Sequence, residues 1–534
     1  MTAPDTLLSA PMINRATGGL YTDNGNLTSD GAGNAAVTSI NVAGTVISKA
    51  LTVNGINIAG AVQSTGGVSV AGVYSVLNSG AKGDGANDDT ATINAAIQLA
   101  SAGGRVQLPP GIYKISTPLL INHPGITFEG YGKLSIIQPT SNFSGANFIL
   151  VSANDCSIQN LAIQPASATY SNNSASNAIQ ITGAQGTYIH NVFCGAINGY
   201  GIESLASASQ PNYNTYMDTV HLGNSKAGLH IKGVTGSGYN GIHLITNFNC
   251  DQIQNGDAFL FEDIYDVQCS NIIGSCTAGN GHALHILGVA GSHYLEDIDL
   301  GTYPGPSGGD TVLIESGSNG SAGQVLLNGG IVEGGANGLT MSAGNATIMK
   351  NLFIFNNGTY GINITSAVTD VLVDGCVFQA NGTAGTTGRY DLNITTSGKT
   401  DVRNCKFLTA QGSTSGKTNN AINATTGFVC VENNNFNGTG YTSSNIFNGY
   451  PAVIRNNVGL QPVGSVNNGT VGTSPFTSPK QSYDCTVYIT GGVVSVIAVA
   501  GTTTNLTSGT FRVPAQQTMI ITHTSAPTWV WIAD

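Results

Sequence analysis

Positive charge is what this sequence has least of. Lysine and arginine number 17 in 534 residues, against 28 aspartates and glutamates, for a net charge of −11. Such a chain has little with which to neutralise phosphates, which excludes nucleic acid as its main partner. Cysteine pairing is also missing. The nine cysteines are scattered, odd in number and without a C-x-x-C, so they read as buried thiols and not as disulfides or zinc ligands. No apolar run approaches the length that spans a bilayer, so no membrane insertion is expected. The opening MTAPDTLLSAPMINRATGG has neither the basic start nor the apolar stretch of a secretory signal, so synthesis in the cytoplasm without a signal peptide is expected.

What is present is turn chemistry and a repeat. Glycine occurs 72 times and 41% of residues are hydrophobic, enough for a long core with many tight turns. From about residue 150 to 460 one unit recurs as apolar, any, Asn-like, apolar, any, apolar: IQNLAI (158–163), IHNVFC (189–194), LEDIDL (295–300), VENNNF (431–436). A second unit falls between its copies, as in GLHI (228–231), AFLF (258–261) and ALHI (283–286). The pair returns every 22 to 32 residues. Period-two alternation makes each unit a strand with one inward face. The Asn, Asp, Gly or Thr marks a bend in the left-handed region. Coils that cannot bury their faces alone must stack, so the expected fold is all-β: a right-handed parallel β-helix.

The rest of the chain divides around it. Residues 1–72 hold short apolar stretches broken by glycine and are expected to form an N-terminal stem that needs partner chains. Residues 73–150 open and cap the β-helix, 151–460 form it, 461–479 are a linker by composition, and 480–534 read as a small C-terminal β-sandwich in which Trp529 and Trp531 pack. In GAKGDGANDDTATINAAIQLA (80–100), Asp88 or Asp89 is placed to N-cap a helix whose apolar face is Ile93, Ala96, Ile97 and Ala100.

That segment carries a resemblance. Asn78, Gly80, Ala81, Gly83 and Asp84, then Asp88-Asp89-Thr90, Ala95-Ala96-Ile97, Gly104, Val106, Pro110-Gly111 and Tyr113 resemble the opening of the pectate-lyase-like superfamily, in the version carried by phage tailspikes and capsular-polysaccharide depolymerases. CTVYITGG…SGTFRVPA…APTW.W is similar to a small terminal module of phage tail proteins. The resemblance implies a homotrimeric tailspike in the virion tail, made in the host and acting outside the cell. It would be joined to other tail or baseplate proteins through its N-terminal region, and would bind and cleave a bacterial surface polysaccharide.

Candidate chemistry comes from an absence. Between Lys232 and Lys350 there is no Lys or Arg, yet the interval holds eleven acidic residues. Mutual repulsion should raise some of their pKa values, as a general acid requires. Alternation turns Glu262, Glu296 and Asp299 outward, with Asp266 on the turn after Glu262, roughly 5 to 10 Å apart across adjacent or next-adjacent coils. These four are the catalytic candidates for glycoside hydrolysis. Tyr265, His285, His293, Tyr294, Glu315 and Glu333 are candidates for contacting substrate. Asp263 and Asp297 occupy bend positions and read as structural, and Asp251, Asp257 and Asp310 as solvated. Alternate strand faces separate His282 from His285 in HALH, so no metal site is expected there. No cofactor is expected; the alternative use of the carboxylates is to hold calcium. The rival functions are a polysaccharide lyase with Tyr265 or His285 as base, and a non-catalytic receptor-binding fibre.

Overall fold

The computed structural model describes residues 72–534 except 102, 167–175, 207–211, 235–240, 278, 289–290, 304–307, 318–322, 366–367, 384–386, 410–417, 439–445, 450 and 460–464. Before residue 72 only short strands are described, such as the antiparallel pairs Met12–Asn14 with Gly19–Tyr21 and Leu51–Val53 with Ile56–Ile58. Contacts divide the chain into a unit Met1–Val62 and a unit Gln63–Asp534. The stem expected at residues 1–72 otherwise lies outside the described residues.

The second unit is a parallel β-helix. One sheet has 20 strands and another 13, and successive coils pair in parallel and in register. The apolar positions of the repeat stack into inward rows. One runs Ile179, Ile202, Leu229, Phe259, Leu284, Val312, Leu339, Ile362, Leu392, Ile422 along the 13-stranded sheet. Eight of the nine cysteines are buried and all nine are unpaired, as the sequence suggests. Phe378, Phe407 and Phe436 stack at 4.9 and 4.6 Å between ring centroids towards the C-terminal end.

The Asn-like position of the repeat is a left-handed bend within or at the end of strands of the 20-stranded sheet. Asn160, Asn191, Thr219, Asn247, Asn271, Asp297, Asn351, Asn404, Asn433 and Asn456 all have φ between 49° and 57°. A side chain with a Cβ resists this conformation, and asparagine tolerates it best after glycine. The amides also link coils: Asn191 donates to Asn160 at 2.8 Å and Asn271 to Asn247 at 2.8 Å. At Gly329-Gly330 the backbone takes the bend without side chains, and a Cβ on Gly330 would lie 1.8 Å from the Ile298 carbonyl oxygen.

The 80–100 segment closes the core. The helix Thr90–Ala100 buries Ile93, Ala96, Ile97 and Ala100. Asp89 takes the N-cap position, but its carboxylate makes no capping bond; instead it accepts the amides of Lys82 (2.6 Å) and Gly83 (3.1 Å). Asp88 accepts from Thr90 N (3.0 Å) and from Ser116 Oγ (2.5 Å) in the next coil. Glycine is required where chains touch: a Cβ on Gly104 would meet the Ala100 carbonyl at 2.4 Å, and one on Gly111 the Gly83 carbonyl at 2.6 Å.

At the other end two four-stranded antiparallel sheets make the C-terminal sandwich. It begins earlier than expected. Ser465–Thr470 pairs with Thr528–Ala533 and Phe476–Thr477 with Met519–Ser525, so the stretch read as a linker supplies two strands. Trp529 and Trp531 are buried against each other and Phe476. No helix among the described residues is long and apolar enough to cross a membrane.

His293 corrects an expectation. It faces inward and is 2% exposed, so it belongs to the core and not to a sugar-binding surface. His243, two coils away in the same row, is also buried, and neither ring has a hydrogen-bond partner among the described residues. Burial lowers both pKa values from 6.5 to about 4.

Two outcomes follow. In denaturant titrations Asn351→Ala should cost about 1 kcal/mol, and Gly330→Ala about 3 kcal/mol because a backbone clash adds to the strained φ; equal effects would contradict this account of the bend. For the histidines, depressed folded-state values mean that stability is full above the unfolded pKa of 6.5 and falls as pH drops towards 4. Relative to His293→Leu, the wild type should lose about 3 kcal/mol between pH 7 and pH 4. Parallel melting-temperature curves for the two proteins would show that the ring is not held neutral.

Candidate functional site

The acidic residues of the cation-free interval separate onto different faces. Glu262 ends the strand Phe259–Glu262 of the 13-stranded sheet, whereas Glu296 and Asp299 lie in Ser292–Thr302 of the 20-stranded sheet. The turn between the sheets passes through Asp263 and Asp266, both left-handed at φ 50° and 46°. Glu262 therefore does not face Glu296 across adjacent coils as expected.

Nor is Glu262 unpaired. Strand register sets it beside Lys232, the last cation before the interval, and Lys232 Nζ lies 2.6 Å from Oε1. His230 Nε2 donates to Oε2 at 3.0 Å. The His230 bond, with help from Lys232, lowers the Glu262 pKa to about 2, the reverse of the expected rise. His230 Nδ1 reaches Glu203 at 3.2 Å, so one imidazole is clasped by carboxylates from the coils on either side. Burial lowers the His230 pKa, but the two carboxylate bonds outweigh it and the net shift is upward. His285 is held in the same way, by Asp257 (2.9 Å, at Nδ1) and Glu315 (3.1 Å, at Nε2). Asp257 is thus engaged, not merely solvated. Glu203 lies upstream of the interval, so a search confined to it misses that residue.

On the other sheet, Asp266 accepts the amide of Ser292 at 3.2 Å, and Glu296 accepts the hydroxyl of Tyr294 at 3.0 Å. Asp266 is level with Ser292, so it lies about 13 Å from Glu296 along the strand direction. Tyr265 is half-buried in the turn and Tyr294 is exposed. These residues form no shared cluster.

A cluster does form beyond the bend. Tyr303, 60% exposed, donates its hydroxyl to Glu333 Oε1 at 2.9 Å and lies over Gly301, where a Cβ would meet its hydroxyl oxygen at 3.0 Å. Partial burial, the Glu333 bond, and then Asp299 and Asp251 push its pKa up to about 12, so it stays a phenol and a donor. Asp251 also accepts from Ser275 Oγ at 2.8 Å. Among the described residues no ion pair reaches Asp251, Asp299 or Glu333. Asp299 and Glu333 are in adjacent coils, two residues out of register, which sets their Cα atoms about 8 Å apart.

The cluster sits about two-thirds of the way along a continuous outward strip: Phe193, His221, Asn249, Ile273, Asp299, Ile331, Phe353. Six coil steps make it roughly 29 Å long. Aromatic rings mark both ends, with Phe353 and Phe355 stacked at 4.6 Å at one and Phe193 against His221 at 5.1 Å at the other. At the Phe193 end a depression of about 260 Å³ is lined by Lys133, Phe193, His221, Asn247 and Asn249 among others. Lys133 Nζ lies 4.2 Å above the Phe193 ring. Burial, then Lys133, lowers the His221 pKa, which favours a neutral imidazole.

Residues 73–198 match the family described as rhamnogalacturonase A/epimerase, pectate lyase-like. No curated protein matches the sequence significantly. Among solved structures, the N-terminal fragment of gene product 12 of bacteriophage phi29 is 13% identical, with 73% of this chain and 71% of that chain covered and a TM-score of 0.51, and it shares the fold. The tailspike protein gp49 of Pseudomonas phage LKA1 is 11% identical (86% and 100% covered, TM-score 0.42). The A-module of mannuronan C-5 epimerase AlgE6 of Azotobacter vinelandii is 15% identical (73% and 100% covered, TM-score 0.39). The pectate-lyase-like match over residues 73–198 thus opens a parallel β-helix that in-register coils continue behind it.

Proposed function

We propose that this chain binds a bacterial surface polysaccharide along the outward strip and hydrolyses it with Asp299 and Glu333 as the acid–base pair. The observation that carries the proposal is that strand register and the Ser275 and Tyr303 bonds set Asp251, Asp299 and Glu333 on one outward face around Tyr303, with no ion pair to any of them among the described residues, between the aromatic ends of the strip. The pectate-lyase-like match supports a carbohydrate as the ligand class. One carboxyl protonates the glycosidic oxygen as its bond to the anomeric carbon breaks. The other takes a proton from the attacking water, or attacks the carbon itself and is released by water afterwards. Tyr303 orients Glu333, and the aromatic faces stack on sugar rings. In this proposal Glu262 holds His230 and Lys232, Asp266 secures the turn and Glu296 pairs with Tyr294.

The setting we propose is a homotrimeric tailspike of a virion, joined to its tail by the N-terminal section. The motif over residues 78–113 and the C-terminal module are the sequence features that support it.

One observation favours a second reading. Lys133 and a neutral His221 share the depression at the end of the strip, an arrangement that suits a uronate: the ammonium neutralises the carboxylate and the imidazole removes the neighbouring proton.

Digestion of capsular and extracellular polysaccharides, followed by new reducing ends and product mass, separates these. Asp299→Asn and Glu333→Gln should each slow release at least about 100-fold, while Glu262→Gln should stay within about threefold of wild type. Products absorbing as unsaturated uronates, lost in His221→Ala, would establish the second reading. Binding without shortening of any glycan would make the protein a receptor-binding fibre.

A further inference from the structure

The Asp257–His285 clasp has a feature that the Glu203–His230 clasp lacks: a second histidine. His282 and His285 are not kept apart by strand alternation, because His282 precedes the strand Leu284–Leu287. Their rings pack edge to face with centroids 5.1 Å apart. One donor atom from each of Asp257, His282 and His285 lies within 4.8 Å of the other two.

We propose that Asp257, His282 and His285 form a binding site for a zinc-type divalent metal, with a fourth position left for water or another ligand. The partners of the three side chains argue for it. His282 Nδ1 is committed to the backbone carbonyl of Asp310 at 2.7 Å, which leaves the Nε2 lone pair for a metal. His285 Nε2 is committed to Glu315 at 3.1 Å, which leaves Nδ1, the nitrogen that faces Asp257. Asp257 Oδ1 accepts the amide of His282 at 2.8 Å, which leaves Oδ2, the oxygen 2.9 Å from His285 Nδ1. Each candidate ligand is therefore oriented by a hydrogen bond on its far atom, as metal-binding histidines and carboxylates are. Two imidazoles and one carboxylate suit zinc and its neighbours, not calcium, which takes oxygen.

The geometry asks little of the fold. Bonds of about 2.0 Å at the tetrahedral angle put ligand atoms about 3.3 Å apart. Each of the three residues already has a ligand-type atom within 4.8 Å of the other two, so about 1.5 Å of approach is left to close. The metal would tie the coil of Asp257 to the next one. It lies on the 13-stranded sheet, apart from the strip beyond the bend of the other sheet, and does not depend on that strip being catalytic.

The test uses the full chain, stripped with a chelator and titrated with zinc against a chromophoric competitor, with bound metal counted by elemental analysis. One zinc per chain is expected. His282→Ala and Asp257→Asn should each weaken binding at least about 100-fold, and Glu315→Gln, which removes only an orienting partner, about 10-fold. Circular dichroism checks that each variant is folded, and the mild Glu315→Gln arm stands if a ligand variant is not. His230→Ala should bind as wild type does. No stoichiometric zinc, equal binding in all variants, or loss in His230→Ala would each overturn the assignment.

Discussion

Everything in this molecule depends on one backbone conformation that L-amino acids resist. In coil after coil the long strand turns at a residue in the left-handed region, and the residue there is usually asparagine. The cost of the conformation is about 1 kcal/mol or more per residue for an ordinary side chain. Asparagine lowers it, and where the amides bond along the stack they also hold neighbouring coils level. Because the bend recurs at the same place, side chains three and four coils apart share one outward row. The strip from Phe193 to Phe353 and the clasped histidines are both products of that register.

The same register decides the electrostatics. The chain has few cations, and it handles carboxylates in two ways. On the 13-stranded sheet Glu203, Glu262, Asp257 and Glu315 are paired through His230, Lys232 and His285. Beyond the bend of the 20-stranded sheet, Asp251, Asp299 and Glu333 have, among the described residues, neutral partners at most, chiefly Tyr303 and Ser275. The first arrangement neutralises charge and ties coils together. The second leaves acids open to a ligand, and that contrast is why the strip and not the clasped face is assigned the chemistry.

Much of this was legible in the sequence. The repeat gave the β-helix, its bend residue and its inward rows, and alternation correctly turned Glu262 outward. The opening motif was legible as architecture, although its aspartates hold a loop and the next coil more than they cap the helix. What failed was placement across turns. A turn of four residues moved Glu262 and Glu296 onto different sheets, and period-two alternation does not extend ahead of the strand, so His282 met His285. Lys232 was counted as the edge of the cation-free interval when strand pairing made it the neighbour of Glu262. His293 was counted outward, but the strand begins with Ser292 exposed, which puts His293 inside. Tyr303, which gathers the carboxylates, carries no motif; only the coil spacing identifies it.

The most direct test of the central claim is a crystal structure of the protein with an oligosaccharide from its own digest. The account predicts sugar rings lying across Ile273, Asp299 and Ile331, with a glycosidic oxygen within hydrogen-bond reach of Asp299 or Glu333. An oligosaccharide bound instead over His230 and His285, with the strip empty, would contradict it.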